Sequence, residues 1–277
     1  MKPQNPPSPS EAGLAPQSRA AGVPVEIAGV SKVFRREQMQ TQALERVDLS
    51  VRPGEFIAVV GPSGCGKSTL LKIIAGLLPP SEGRIDIAGK TISGPHTDLG
   101  IVFQSPVLLD WRNVLDNVLV QIDLRGGDPA AYRDQARALL AKVGLAGFEN
   151  RMPRELSGGM RQRAAIVRAM IHQPPLLMMD EPFGALDALT REQMRIDLEK
   201  LWLERGQTTF FITHGISEAV ALADRVIVMT PRPGRIERII EIDLPRPRHK
   251  AVITSQRFTD YCDEITECFM RHGVIQY

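Results

Sequence analysis

The sequence predicts an α/β fold, a mostly parallel sheet core with an antiparallel β subdomain and an α-helical subdomain attached to it. Three observations carry this reading. Short runs such as "FIAVV" (56–60) and "LLMM" (176–179) are continuously apolar, as strands covered on both faces must be. Runs of that kind alternate with segments of helical period, the pattern of a parallel sheet connected by helices. The stretch from about 106 to 172 holds no strong strand candidate and reads as a separate helical lobe.

In chain order, residues 1–22, "MKPQNPPSPSEAGLAPQSRAAG", are rich in Pro, Ser, Ala and Gln and carry no aromatic residue. They cannot bury enough apolar surface to offset the entropy of ordering, so a disordered tail is expected. A domain over 23–245 follows. "VEIAGVSKVF" and "ALERVDLSV" show two-residue alternation, as in an antiparallel sheet with one wet face. "EFIAVV" reads as a buried strand ending at glycine, and "STLLKIIAGLL" as a helix stopped by Pro79 and Pro80. "GRIDIAGK" is a short strand running into a turn, and "LGIVFQ", "LLMMD", "TTFFITH" and "RVIVM" are further strands. Helical patterns occupy 129–143, 160–173, 188–204 and 216–223. The extension 246–277 opens with turn residues, and then Phe258, Tyr261, Cys262, Ile265 and Phe269 recur at helical spacing. That helix either closes the core or forms a dimer contact. The chain contains no internal repeat and no coiled-coil heptad.

Hydrophobic residues are 43% and charged residues 24% of the 277, an ordinary globular composition. The 34 basic and 32 acidic residues leave a net charge of +2, without the concentrated basic face that a nucleic-acid partner requires. No apolar run approaches the roughly 18–20 residues that span a bilayer, and no secretory pattern opens the chain. The three cysteines, Cys65, Cys262 and Cys268, lack metal-ligand spacing and suit a reducing compartment.

Two glycine motifs carry chemistry. "GPSGCGKST" (Gly61, Pro62, Ser63, Gly64, Cys65, Gly66, Lys67, Ser68 and Thr69) fits G-x-x-x-x-G-K-[ST] between a buried strand and a helix. Its glycines let successive N–H groups turn inward, and the helix N-terminus adds its dipole. Lys67 is placed to meet β- and γ-phosphates, Ser68 to ligate Mg²⁺ and Thr69 to reach the α-phosphate, while Cys65 reads as a small filler without a base beside it. "LLMMDE" ends a buried strand in carboxylates, with Asp180 expected on Mg²⁺ through water and Glu181 on the water that attacks the γ-phosphate. "LSGGMRQR" (156–163) then offers a second anion receptor, Ser157, Gly158 and Gly159 at a helix N-terminus. One nucleotide fills one cradle. A spare receptor on a helical lobe suits the nucleotide of a second copy placed head to tail.

In the order of these motifs the sequence resembles the ATP-binding subunits of ABC transporters, over about 25–245. The resemblance implies a P-loop NTPase fold. It identifies "GPSGCGKST" with the Walker A loop, "LLMMDE" with the Walker B strand, and "LSGGM" with the signature that faces the partner's ATP. Gln104 matches the Q-loop, which senses Mg²⁺ and the attacking water and touches the transport lobe. Asp187 in "GALD" matches the D-loop across the dimer. His214 matches the switch histidine at the γ-phosphate; by residue type and position alone it reads as a structural strand-end histidine. Phe34 falls where the family stacks an aromatic on adenine. The family usually has Asp after the switch histidine, where this chain has Gly215 in "THGIS"; the change removes a carboxylate and adds backbone freedom.

Within the family, "LLDWRNVLDNV", "FGALDALTR" and "MTPRPGRIERIIEIDLPRPR" are similar to importers of the nitrate, sulfonate and taurine group. The resemblance implies an ATPase working as a homodimer on permease subunits, indirectly with a solute-binding protein, at the cytoplasmic face of the inner membrane. It implies no nucleic-acid partner. Trp111 is read either as part of the groove that receives permease helices or as core of the helical lobe. Two rival readings are a soluble ATPase of the same architecture and an ATP-binding regulatory protein. The short, heptad-free segment between cradle and signature disfavours the first, and Glu181 with His214 disfavours the second.

Overall fold

The computed structural model describes residues 22–36 and 39–275. The tail expected to be disordered over 1–22 lies, apart from Gly22, outside the described residues. In chain order the elements are β1 (Val25–Arg36), β2 (Met39–Val51), β3 (Phe56–Val60), α1 (Lys67–Ile74), β4 (Glu82–Ile87), β5 (Lys90–Thr91), β6 (Leu99–Val102), α2 (Val114–Leu124), α3 (Arg133–Lys142), α4 (Gly158–Met170), β7 (Leu176–Asp180), α5 (Ala188–Arg205), β8 (Thr208–Ile212), α6 (Ile216–Leu222), β9 (Arg225–Met229), β10 (Ile236–Glu241), α7 (Lys250–Ile253) and α8 (Gln256–Arg271).

The apolar runs form one sheet in the order β10-β9-β3-β8-β7-β6, parallel throughout except for the outer strand β10. The alternating segments form a second sheet, β2-β1-β4-β5, antiparallel at every pairing. Side chains of the parallel strands alternate between two cores, because successive residues of a strand point to opposite faces. Phe56, Ala58 and Val60 of β3 join Leu177, Met179 and Phe211 on the face covered by helices α2, α4, α5, α6 and α8. Ile57 and Val59 join Leu176, Met178, Phe210 and Ile212 on the face covered by α1 and the antiparallel sheet. Both faces are dry, which is why these strands read as continuous apolar runs rather than as alternation.

Three elements differ from the sequence reading. The helix expected over 68–78 stops at Ile74, because Gly76 turns left-handed and the N–H groups of Leu77 and Leu78 close back on the Lys72 carbonyl at 2.9 and 3.2 Å. Helix α2 had no separate signal: Val114, Leu115, Val118, Leu119, Val120 and Ile122 are all buried, so its apolar residues surround much of its circumference and blur the period. Strand β10 was not among the expected strands; "IERIIE" carries a single fully buried residue, Ile240. The C-terminal helix packs on the core, with Phe258, Ile265 and Phe269 buried against α6 and its neighbours, so its apolar face is already covered.

Candidate nucleotide site

In parallel sheets ligands gather at the carboxyl ends of the strands. Along that edge, in sheet order, stand the turn after β9, the 61–66 loop after β3, His214 after β8, Asp180 at the end of β7 with Glu181 behind it, and Gln104 after β6. A cavity of about 380 Å³ opens there, lined by Phe34 and by Ser63, Gly64, Gly66, Lys67, Ser68 and Thr69, with Gln104 and Glu181 on its far wall. Its volume is within the roughly 300–1,000 Å³ usual for small-molecule sites.

The loop's shape depends on glycine where α1 begins. Gly66 has φ = 108°, and a Cβ there would meet the Leu44 side chain at 2.6 Å and the Ala43 carbonyl at 2.8 Å. Lys67 is almost fully buried, and its ammonium donates to the carbonyls of Gly61 at 2.8 Å and Pro62 at 3.1 Å. An ammonium has three protons, so one remains for an anion in the cradle. Cys65 faces away, its sulfur packed under Gly61 and its thiol pushed up by burial, which suits a filler and not a nucleophile.

The Ser68 hydroxyl donates to Asp180 Oδ1 at 2.9 Å. Burial holds the Asp180 carboxyl above the usual carboxylate range; the neighbouring Glu181 pushes the same way, while Ser68, Lys72 and Lys67 oppose it. A divalent cation offsets such a penalty, and a hydroxyl beside a carboxylate is the hard-oxygen set that Mg²⁺ accepts. Among the described residues no three His, Cys, Asp or Glu side chains gather to hold a metal by themselves. The Ser68 hydroxyl and the Asp180 carboxylate fit as two members of an oxygen ligand set.

Glu181 is the hub of the far wall. Its Oε2 accepts from Gln104 Nε2 at 3.1 Å and lies 3.5 Å from His214 Nδ1. Its backbone has φ = 45°, held by its N–H on the Ile212 carbonyl at 2.9 Å and by its carbonyl on the Gly184 N–H at 3.1 Å. A non-glycine residue in the left-handed region costs energy, and such strain concentrates at functional sites.

The remaining residues of the sequence reading lie elsewhere. Ser157 caps α4, its hydroxyl accepting from Met160 N at 3.2 Å. Asp187 caps α5 in the same way, and its hydrogen bonds from Thr190 lower its carboxyl from the ordinary value. The two caps adjoin: a Cβ on Gly159 would come within 2.7 Å of Thr190 Cγ2. Ser157, Gly158, Gly159 and Asp187 thus form a second cluster that does not line the 61–69 cavity. Trp111 is 75% exposed, which removes its reading as lobe core. Sequence reasoning missed Thr41, Ala43 and Arg232 on the cavity wall. Arg232 donates to the Gly64 carbonyl from Nε at 3.2 Å and Nη2 at 3.1 Å, and only the glycine-containing turn "PRPGR" hinted at it.

Comparisons with known proteins show what the chain is similar to. A family model described as ABC transporter matches residues 44–184. An aliphatic sulfonates import ATP-binding protein of Bacillus cereus is 42% identical over 252 residues, covering 91% of this chain and 98% of the relative. A taurine import ATP-binding protein of Burkholderia thailandensis is 42% identical over 247 residues, 87% of this chain and 95% of the relative. Among solved structures, the dimeric post-hydrolysis state of an ATP-binding cassette bound to ADP and phosphate superposes with a TM-score of 0.70 at 32% identity, covering 79% of this chain and 98% of that one.

Proposed function

The chain belongs to the ABC transporter family of ATP-binding cassettes, on a P-loop NTPase fold, and from that premise we propose that it is the ATP-hydrolysing subunit of an importer for a small anionic solute of the nitrate, sulfonate or taurine type. The observation that carries the reading is the union, at one sheet edge, of the phosphate loop with Ser68–Asp180 and Gln104–Glu181–His214. The names of the sulfonate and taurine relatives support the solute class.

In this reading Phe34 stacks on adenine, Lys67 and the N–H groups of the 61–69 loop bind the phosphates, and Thr69 reaches the α-phosphate. Ser68, Gln104 and Asp180 would hold Mg²⁺, which would supply charge neutralisation to the phosphate oxygens. Glu181 takes the proton of the attacking water on its carboxylate, which Gln104 and His214 orient, and His214 contacts the γ-phosphate. These residues accelerate the reaction by positioning and charge stabilisation.

Ser157, Gly158, Gly159 and Asp187 serve the nucleotide of a second copy, giving a head-to-tail homodimer. That they do not line their own chain's cavity supports this, as does the dimeric state of the solved relative. Helix α4 supplies a lever. Ser157 caps its start, while Gln162 donates to the Phe103 carbonyl at 3.3 Å and Arg168 to the carbonyls of Pro106 and Val107 at 2.9 and 2.7 Å. Movement of the signature therefore moves the segment on both sides of Gln104. The helical lobe of about 106–172 acts as the moving part of the 23–245 domain, and 246–277 as its closing extension. Permease helices take the surface around Phe103, Trp111 and Leu124, which are all exposed. No described helix is long and apolar enough to cross a membrane; the subunit works peripherally, at the cytoplasmic face of the inner membrane, with a solute-binding protein as an indirect partner.

The decisive variant is Glu181→Gln. It is expected to bind ATP with wild-type affinity, to lose turnover by at least about a hundredfold, and to accumulate as an ATP-bound dimer in size-exclusion chromatography. Full hydrolysis by this variant would remove Glu181 from its role.

A further inference from the structure

Gly215 has a neighbour that changes its meaning. An ideal Cβ at 215 would lie 2.9 Å from Cδ and 3.1 Å from Oε2 of Glu218, so the carboxylate of this α6 residue fills the space a side chain at 215 would enter. Glu218 Oε2 accepts the Thr213 hydroxyl at 2.5 Å. That hydroxyl accepts in turn the backbone N–H of Gly215 at 2.9 Å. Thr213 is buried, and its own N–H is anchored on the Val59 carbonyl at 3.2 Å, in the strand that delivers the phosphate loop. The other oxygen of Glu218 faces Arg191 Nε at 3.5 Å. Arg191 Nη2 donates to the Leu186 carbonyl at 3.0 Å, one residue before Asp187.

We propose that Glu218 is a positioning residue for His214: from α6 its carboxylate fills the space beside Gly215 and holds the Thr213 hydroxyl, and through Arg191 it ties the His214 loop to the Asp187 loop. The assignment rests on the hydrolytic reading of the site. Its logic is the inventory of a hydroxyl, one proton and two lone pairs. Glu218 takes the proton, which turns a lone pair of Thr213 onto the Gly215 N–H. Both peptide neighbours of His214 are then fixed, and the imidazole, 3.5 Å from Glu181 at Nδ1, is aimed by its backbone. Without Glu218 the Gly215 backbone regains the freedom of a residue with no Cβ, and the imidazole direction spreads.

Steady-state ATPase assays on the full chain test this, with binding of a fluorescent ATP analogue as the check on folding. Glu218→Ala is expected to lower kcat by about ten- to a hundredfold, the upper figure being the scale of a group misplaced by about 1 Å, while the KM for ATP and analogue binding stay near wild type. Glu218→Gln keeps an oxygen for the Thr213 hydroxyl and is expected to recover most of the turnover. Gly215→Asp, placed in the Glu218→Ala background, is expected to recover part of it, because the carboxylate then returns to the same space from the other side. Wild-type kcat in Glu218→Ala overturns the proposal. So does a loss shared equally by ATP binding, or a loss that neither Gln nor the relocated carboxylate repairs. The two levels separate: full turnover in Glu181→Gln overturns the reading of the site, whereas full turnover in Glu218→Ala beside an inactive Glu181→Gln overturns this assignment alone.

Discussion

His172, at the turn between α4 and β7, lines a groove of about 400 Å³ with Phe103, Leu124 and Arg125. Burial, aided by the charge of Arg125, pushes its imidazole down from 6.5 to about 4. The folded chain therefore carries this histidine neutral, while the unfolded chain protonates it below about pH 6.5. A base with a depressed folded value costs stability as the pH falls from 6.5 toward 4, and costs none at pH 7. His172→Asn is expected to flatten that acid limb in urea midpoints taken at pH 7 and pH 5, by a muted amount because the ring is only partly buried. An unchanged fall would show that other groups set the acid sensitivity. Residues of this kind were hidden in the sequence, since nothing local to "IHQPP" says what the ring packs against. Lys67, Ser68, Asp180 and Glu181 were legible for the opposite reason: phosphate chemistry imposes their spacing along the chain itself. The strain at Glu181, φ = 45°, was not legible, because it follows from how Ile212 and Gly184 grip that peptide.

Among the elements, the C-terminal "PRPRHK" departs furthest from its appearance. It reads as turn chemistry. Yet Arg248 is 1% exposed, donating from Nη1 to the carbonyls of Val220 at 2.7 Å and Ala223 at 2.6 Å and from Nη2 to that of Ile242 at 3.2 Å. Its backbone N–H meets Glu199 Oε1 at 2.9 Å, and burial together with Arg246 lowers its guanidinium to about 10. Arg246 itself lies over the Trp202 ring at 4.4 Å and pairs with Asp224 at 2.9 Å. Arginine is rarely buried without such partners, and the partners here are the open carbonyls at the ends of α6 and β10. Only the assembled fold brings those ends together, so the clamp was invisible to periodicity. Arg248→Ala leaves the carbonyls unpaired around a void. It is expected to cost on the order of 3 kcal/mol, or roughly 6–12 °C in Tm for a domain of this size. A Tm drop below about 2 °C would mean that solvent replaces the guanidinium freely. The buried strands, by contrast, were read from their apolar runs nearly to the residue, because a strand dry on both faces admits no other composition.

For the whole molecule, the separation of the two glycine motifs is the organising fact. One chain lines its cavity with the 61–69 loop and keeps Ser157–Gly159 and Asp187 in a different cluster. Lys67→Ala and Ser157→Arg chains, each expected to be inactive alone, should regain part of the wild-type ATPase when mixed, approaching about a quarter per site at equal amounts for random pairing. Absence of rescue at any ratio would count against shared sites. The fold class and both motifs were available before the structure, but the order of the strand edge was not, since sheet order is settled by crossovers and not by local pattern. That order has an outcome for the far end of the chain. Gly234, in the turn that follows β9, sits so close to the phosphate loop that a Cβ would fall 1.8 Å from the Cys65 carbonyl, and Arg232 of the same turn grips Gly64. The cradle is thus cast in two moulds nearly 170 residues apart in sequence. A cassette trimmed behind β9, or grafted onto a foreign C-terminal half, would lose the backing of its own nucleotide loop while every residue of that loop remained in place.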